Sequence, residues 1–80
     1  MKKIWEFTIS DDFGCEMTTI ERYAEEAAQD YCTQLFCTSE GKVNLEVTKI
    51  ELNGLPVQKG EKTIVYPFIA WGYENEKSFH

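Results

Sequence analysis

The chain is predicted to fold as a small α+β domain: an antiparallel sheet of three to four strands with one amphipathic helix packed on one face, in the order β-α-β-β. Three observations predict it. Residues 3–10 alternate apolar and polar side chains with a period of two. Residues 20–36 repeat their apolar positions with a helical period. Residues 42–71 return to the two-residue period around glycine-marked turns. At 80 residues the chain is expected to form one domain, 1–80, with a single small core. The aromatic share of 14% matters at this size, because Trp5, Phe7, Phe36, Phe68 and Trp71 bury much area per residue.

The opening strand is read over Lys3 to Ser10, where Trp5, Phe7 and Ile9 alternate with Glu6, Thr8 and Ser10. Asp11, Asp12 and Gly14 then break the pattern with turn residues. Cys15 to Met17 either prolong a hairpin arm or lead into the helix. Thr18 and Glu21 have the T-x-x-E spacing of a capping box, in which each side chain bonds the other residue's backbone N–H. From Ile20 the stripe continues through Tyr23, Ala24, Ala27, Ala28, Tyr31, Cys32, Leu35 and Phe36, with small alanines at its centre to bring helix and sheet close. Gly41 is the expected terminator.

The second strand is expected over Lys42 to Leu52. Val43, Leu45 and Val47 share one face, and the phase then slips to Ile50 and Leu52, which predicts a β-bulge near Thr48–Lys49. Asn53-Gly54 is a two-residue hairpin signal, with Leu55 to Gln58 as a short return arm and Lys59 to Lys62 as a second turn. The last strand, Thr63 to Trp71, sets Ile64, Tyr66, Phe68 and Ala70 on one face and Val65, Pro67, Ile69 and Trp71 on the other. Pro67 has no backbone donor, so this strand is expected at a sheet edge or bulged at that residue. Tyr73 to His80 reads as a polar tail.

Charge is distributed unevenly. Residues 1–40 carry nine acids against three bases, and residues 41–80 carry five of each, so the whole net charge of −6 belongs to the first half. Such a surface repels phosphate backbones and attracts basic partners, which argues against direct nucleic-acid binding. No apolar run approaches the length of a membrane-spanning helix, and the basic start lacks the apolar core of a signal peptide. An odd count of three cysteines argues against a disulfide framework and for a reducing, cytoplasmic setting.

Catalytic and metal-binding chemistry is not expected. The letters Asp12-Phe13-Gly14 stand without the other elements of a kinase and read as a turn. Cys15, Cys32 and Cys37 have no zinc spacing, and the single histidine, His80, lies in the tail, so a thiol nucleophile lacks a base. Asp11, Asp12 and Glu16 lack the spacing of a calcium loop. The expectation is a non-enzymatic protein without cofactor or metal.

The outward helix face is the feature that asks for a function. Glu21, Glu25, Glu26 and Asp30 line it with one base, Arg22, and Asp11, Asp12 and Glu16 extend the acidity towards the preceding turn. Like charges four apart, as at Glu21/Glu25 and Glu26/Asp30, oppose helix stability by some tenths of a kcal/mol per pair. These seven acids are therefore the candidate contacts for a partner protein with a basic surface. The alternative is a structural protein that homodimerises through the sheet face opposite the helix, where Ile4, Val65, Ile69 and Trp71 are candidates.

The run TTIERYAEEAAQDYC, set between an opening strand and VNLEVTKIELNG, resembles small phage-encoded proteins, among them anti-CRISPR proteins with an opening strand, an alanine-rich helix and two closing strands. The resemblance is one of layout and helix composition and spans roughly residues 3–71. It implies stoichiometric inhibition of a CRISPR effector in a bacterial cytoplasm, on lysine-rich surfaces that otherwise hold DNA or guide RNA. Carboxylates suit such sites because they make the same charge-assisted contacts as phosphates.

Overall fold

The computed structural model describes residues 1–75. In chain order the elements are β1 (Lys2–Asp11), α1 (Met17–Thr38), β2 (Leu45–Leu52), β3 (Val57–Lys59) and β4 (Thr63–Glu74). The fold is the predicted α+β arrangement, one helix on one face of an antiparallel sheet. His80 and most of the predicted polar tail lie outside the described residues, while Tyr73 and Glu74 continue β4.

Strand β4 is the middle of the sheet. It pairs with β1 on one side, from Lys2↔Gly72 to Asp11↔Ile64, and with both β2 and β3 on the other. The sequence-based expectation from Pro67 is an edge strand or a bulge at that residue; β4 is central instead, and its register with β1 runs unbroken through Thr8↔Pro67. Strand β2 begins its pairing beyond Pro67, at Leu52↔Phe68, and β3 ends its pairing before it, at Val57↔Val65. The Asn53 N–H donates to the Pro67 carbonyl at 2.8 Å, so the donor that proline lacks would have pointed to that same side, into the interval between β2 and β3. No ladder bond to β1 is lost.

The same interval corrects the Asn53-Gly54 hairpin. β2 and β3 do not pair with each other; both run antiparallel to β4 along one side, as two halves of one strand interrupted by residues 53–56. Gly54, at φ +112°, makes the excursion possible. The turn expected at Lys59 to Lys62 does form, joining β3 to β4 at Lys59↔Thr63, with the Gln58 amide donating to the Gly60 and Glu61 carbonyls.

The predicted bulge is present as a register shift between Val47 and Lys49, where the Thr48 hydroxyl donates to the Trp71 carbonyl at 3.3 Å. A second bulge, between Lys3 and Trp5, faces it across β4. Between the two lies Gly72, where a Cβ would stand 1.8 Å from the Glu46 carbonyl oxygen and 2.6 Å from Ile4 Cδ1. Only glycine admits this approach of β2 to β4. Ile4 itself occupies the β1 bulge, packed against Gly72, and is not part of the strip that runs down the open face of β4.

The helix begins earlier than the capping box predicted. Its N-cap is Glu16, extended at φ −66° and ψ 155°, with no side-chain cap, and its carbonyl accepts the N–H groups of Thr19 and Ile20. Thr18 and Glu21 therefore lie inside the helix. The cause is packing: Cys15 and Met17 join the core around Ile20, Ala24, Tyr66 and Phe68, which draws the first turn back onto the sheet. At the far end the chain turns left-handed at Glu40 and Gly41, and the Gly41 N–H bonds the Phe36 carbonyl at 2.7 Å, as the expected terminator requires.

Candidate acidic interface

Helix α1 meets the sheet differently on its two flanks. Towards β1, Trp5 is sandwiched between Tyr31 of the helix and Phe7 of the strand, with ring centroids 4.1 and 4.3 Å apart and planes within 14°. Phe7 continues the series to Phe68 at 5.8 Å. Every second residue of β1 faces the helix, and beside Tyr31 those positions are the aromatic Trp5 and Phe7.

Towards β2, a groove of about 410 Å³ separates helix and strand. Its helix wall is Glu25, Glu26, Gln29 and Asp30, and its strand wall is Val47 to Ile50. A smaller recess of about 350 Å³ follows one turn on, shared by Gln29, Cys32, Thr33, Phe36, Asn44 and Leu45. Among the described residues the ion pairs are Lys3–Glu6 and Lys49–Glu51, so no acid of α1 is matched by a base at contact distance. Arg22 instead lies 5.8 Å over the Tyr23 ring.

The seven acids expected to act together do not form one surface. Glu25, Glu26 and Asp30 line the groove, and Glu21 is exposed one turn before Glu25. Glu16 is exposed at the helix N-cap. Asp12 is exposed and accepts a hydrogen bond from the Thr63 hydroxyl. Asp11 is different: only 5% exposed, it accepts the Cys15 N–H at 2.9 Å and closes the β1–α1 turn. That backbone bond holds its carboxyl below the ordinary value, and the Cys15 thiol beside it is pushed up. Burial likewise raises the Cys32 thiol. Cys37 is exposed, and all three cysteines are unpaired thiols. Among the described residues no group of three His, Cys, Asp or Glu side chains is placed to hold a metal ion.

The strand wall is what sequence reasoning missed. The bulge at Thr48 was legible, but nothing in the spacing says that it would lie beside Glu25 and Asp30.

The sheet face away from the helix carries the apolar row Val65, Pro67, Ile69 and Trp71, in which Ile69 is buried and the other three are half-buried, extended by exposed Tyr73 and Val57. Its β2 border is polar. The Trp71 indole donates to Glu51 at 2.7 Å and Lys49 Nζ lies 3.1 Å from the same carboxylate, which is held below its usual range by Lys49 first and Trp71 second. The Glu46 carboxylate raises Tyr73. No helix is long and apolar enough to cross a membrane among the described residues. The chain matches no family model, no curated protein and no solved structure.

Proposed function

We propose that this chain is a non-enzymatic acidic binding protein, a phage-type inhibitor that acts in a bacterial cytoplasm by docking on a basic surface of a nucleic-acid-handling complex such as a CRISPR effector. The observation that carries the reading is the groove whose helix wall is Glu25, Glu26 and Asp30; among the described residues no base lies at ion-pair distance from them, and Lys49 on the strand wall pairs with Glu51 instead. Carboxylates arranged in this way hold a local negative potential open to solvent, and a lysine or arginine presented by a partner gains both Coulomb attraction and charge-assisted hydrogen bonds. Glu21 and Glu16 extend that potential towards the N-terminus of α1. Two of the three thiols, Cys15 and Cys32, are poor candidates for chemistry, since both are shifted away from the reactive thiolate.

The test is inhibition of reconstituted CRISPR effectors, read as loss of target-DNA binding when purified protein is added. Wild type inhibits at least one effector near one-to-one stoichiometry, more weakly as salt rises, and the variant Glu25→Gln, Glu26→Gln, Asp30→Asn does not. Inhibition that survives both neutralisation and salt refutes the electrostatic reading.

A second reading is favoured by the apolar strip on the open sheet face: a structural protein that homodimerises there. It predicts a sedimentation mass of twice the monomer that Val57→Glu with Val65→Glu returns to the monomer. A monomer at all accessible concentrations excludes it.

A further inference from the structure

We infer that the groove between α1 and β2 receives an extended basic segment of a partner protein, which adds to the sheet as a further strand along the outer edge of β2. The inference rests on the acidic-interface reading and specifies how the partner is held. Among the described residues β2 has one sheet neighbour, β4, and its other edge is unpaired. Asn53 bonds Pro67 towards β4, and backbone direction alternates along a strand. The N–H and C=O groups of Leu52 and Ile50 therefore point outward, where an added strand would find them. An edge of this kind is a template for strand addition unless something blunts it.

The groove decides the chemistry of the occupant. A strand paired to β2 would direct every second side chain towards the helix, where Glu25, Glu26 and Asp30 stand. Long cationic side chains fit that position by charge and by reach. The recess at Cys32, Phe36 and Leu45 lies farther along the same edge, offset by about two to four strand residues, and suits an apolar side chain. The segment recognised is thus a lysine or arginine followed or preceded, on the same strand face, by an aliphatic residue. A second copy of this chain is a poor occupant, since two bodies of charge −6 repel.

The experiment uses the full chain and a short labelled peptide of alternating lysine and threonine with one leucine on the lysine face. A matched peptide carries N-methyl groups on alternate backbone nitrogens, which keeps charge and side chains but removes the donors. The expected result is saturable binding that weakens about tenfold or more on N-methylation, the loss of one or two backbone bonds. Slowed amide exchange at Ile50 and Leu52 accompanies it, a readout that needs no variant. Leu52→Pro, which removes the outward-facing N–H and leaves the bonds to β4 in place, weakens binding similarly, while Leu52→Ala, which removes the side chain and keeps the N–H, does not; an unchanged circular dichroism spectrum shows that both fold.

Equal binding of both peptides, with no protection at Ile50 or Leu52, overturns strand addition; if the Glu25→Gln, Glu26→Gln, Asp30→Asn variant then loses both peptides, the acidic reading survives alone. Binding that the triple variant retains overturns both. No binding of either peptide overturns strand addition, as does slow amide exchange at Ile50 and Leu52 in the free chain together with a sedimentation mass of twice the monomer.

Discussion

The two flanks of α1 carry the same helix over the same sheet and end in opposite conditions. On the β1 flank, Tyr31, Trp5 and Phe7 stack ring on ring, each of them half-buried. On the β2 flank, Glu25, Glu26 and Asp30 border open space. An aromatic ring gains by being covered on both faces, whereas a carboxylate loses its hydration if it is covered without a partner. The β1 flank is therefore packed ring on ring, and the β2 flank keeps solvent beside its carboxylates. The buried core of Ile20, Ala24, Tyr66 and Phe68, with Ile50 of β2 packed on it, lies beneath the helix, and the space a partner could enter lies on the second flank.

Changing the backbone beneath both flanks should have the largest effect. Gly72→Ala drives a Cβ into the Glu46 carbonyl, so β2 must move away from β4; a loss of about 3 kcal/mol or more is expected in urea unfolding. The closed flank comes next. Trp5→Ala removes the middle ring of the stack and should cost about 2–3 kcal/mol, less than for a fully buried tryptophan because Trp5 is only half-buried. If Trp5→Ala is silent while Tyr31→Ala is costly, the stack is not what closes this flank.

Acid should reach the turn that leads into α1. Asp11 has its carboxyl lowered from 3.8 by the Cys15 backbone N–H, so its contribution is complete above that ordinary value and is lost as pH falls through the lowered one. Asp11→Asn should flatten the part of the stability profile that falls below about pH 4, measured as melting temperature against pH.

The smallest effect on stability belongs to the open flank. Glu25→Gln, Glu26→Gln, Asp30→Asn removes the Glu21/Glu25 and Glu26/Asp30 repulsions and should stabilise the chain by some tenths of a kcal/mol at low salt while abolishing binding to basic surfaces. That opposition in sign is the sharpest test of the contrast. A variant that loses stability and binding together would mean that the acids hold the fold.

By itself, the sequence determined what local periodicity and backbone chemistry determine. The helical stripe from Ile20 to Phe36, the alternation of β1 and β4, the slip at Thr48, the turn at Gly60 and the stop at Gly41 are consequences of neighbours a few residues apart. They survive in the structure with shifted ends. The acidity of α1 was equally plain. Tertiary structure decided what depends on residues far apart in the chain. Pro67 lies in a central strand because the β2–β3 interruption falls opposite it, and Asn53-Gly54 makes no hairpin because β4 is long enough to pair with both halves. Glu16 replaces Thr18 as the cap because Met17 and Cys15 pack on Phe68 and its neighbours. The groove exists because Val47 to Ile50 are brought beside Glu25 and Asp30, some twenty residues away in sequence. Periodicity reports which face of an element is apolar; which strand lies beside that face is set by how the whole chain closes its core.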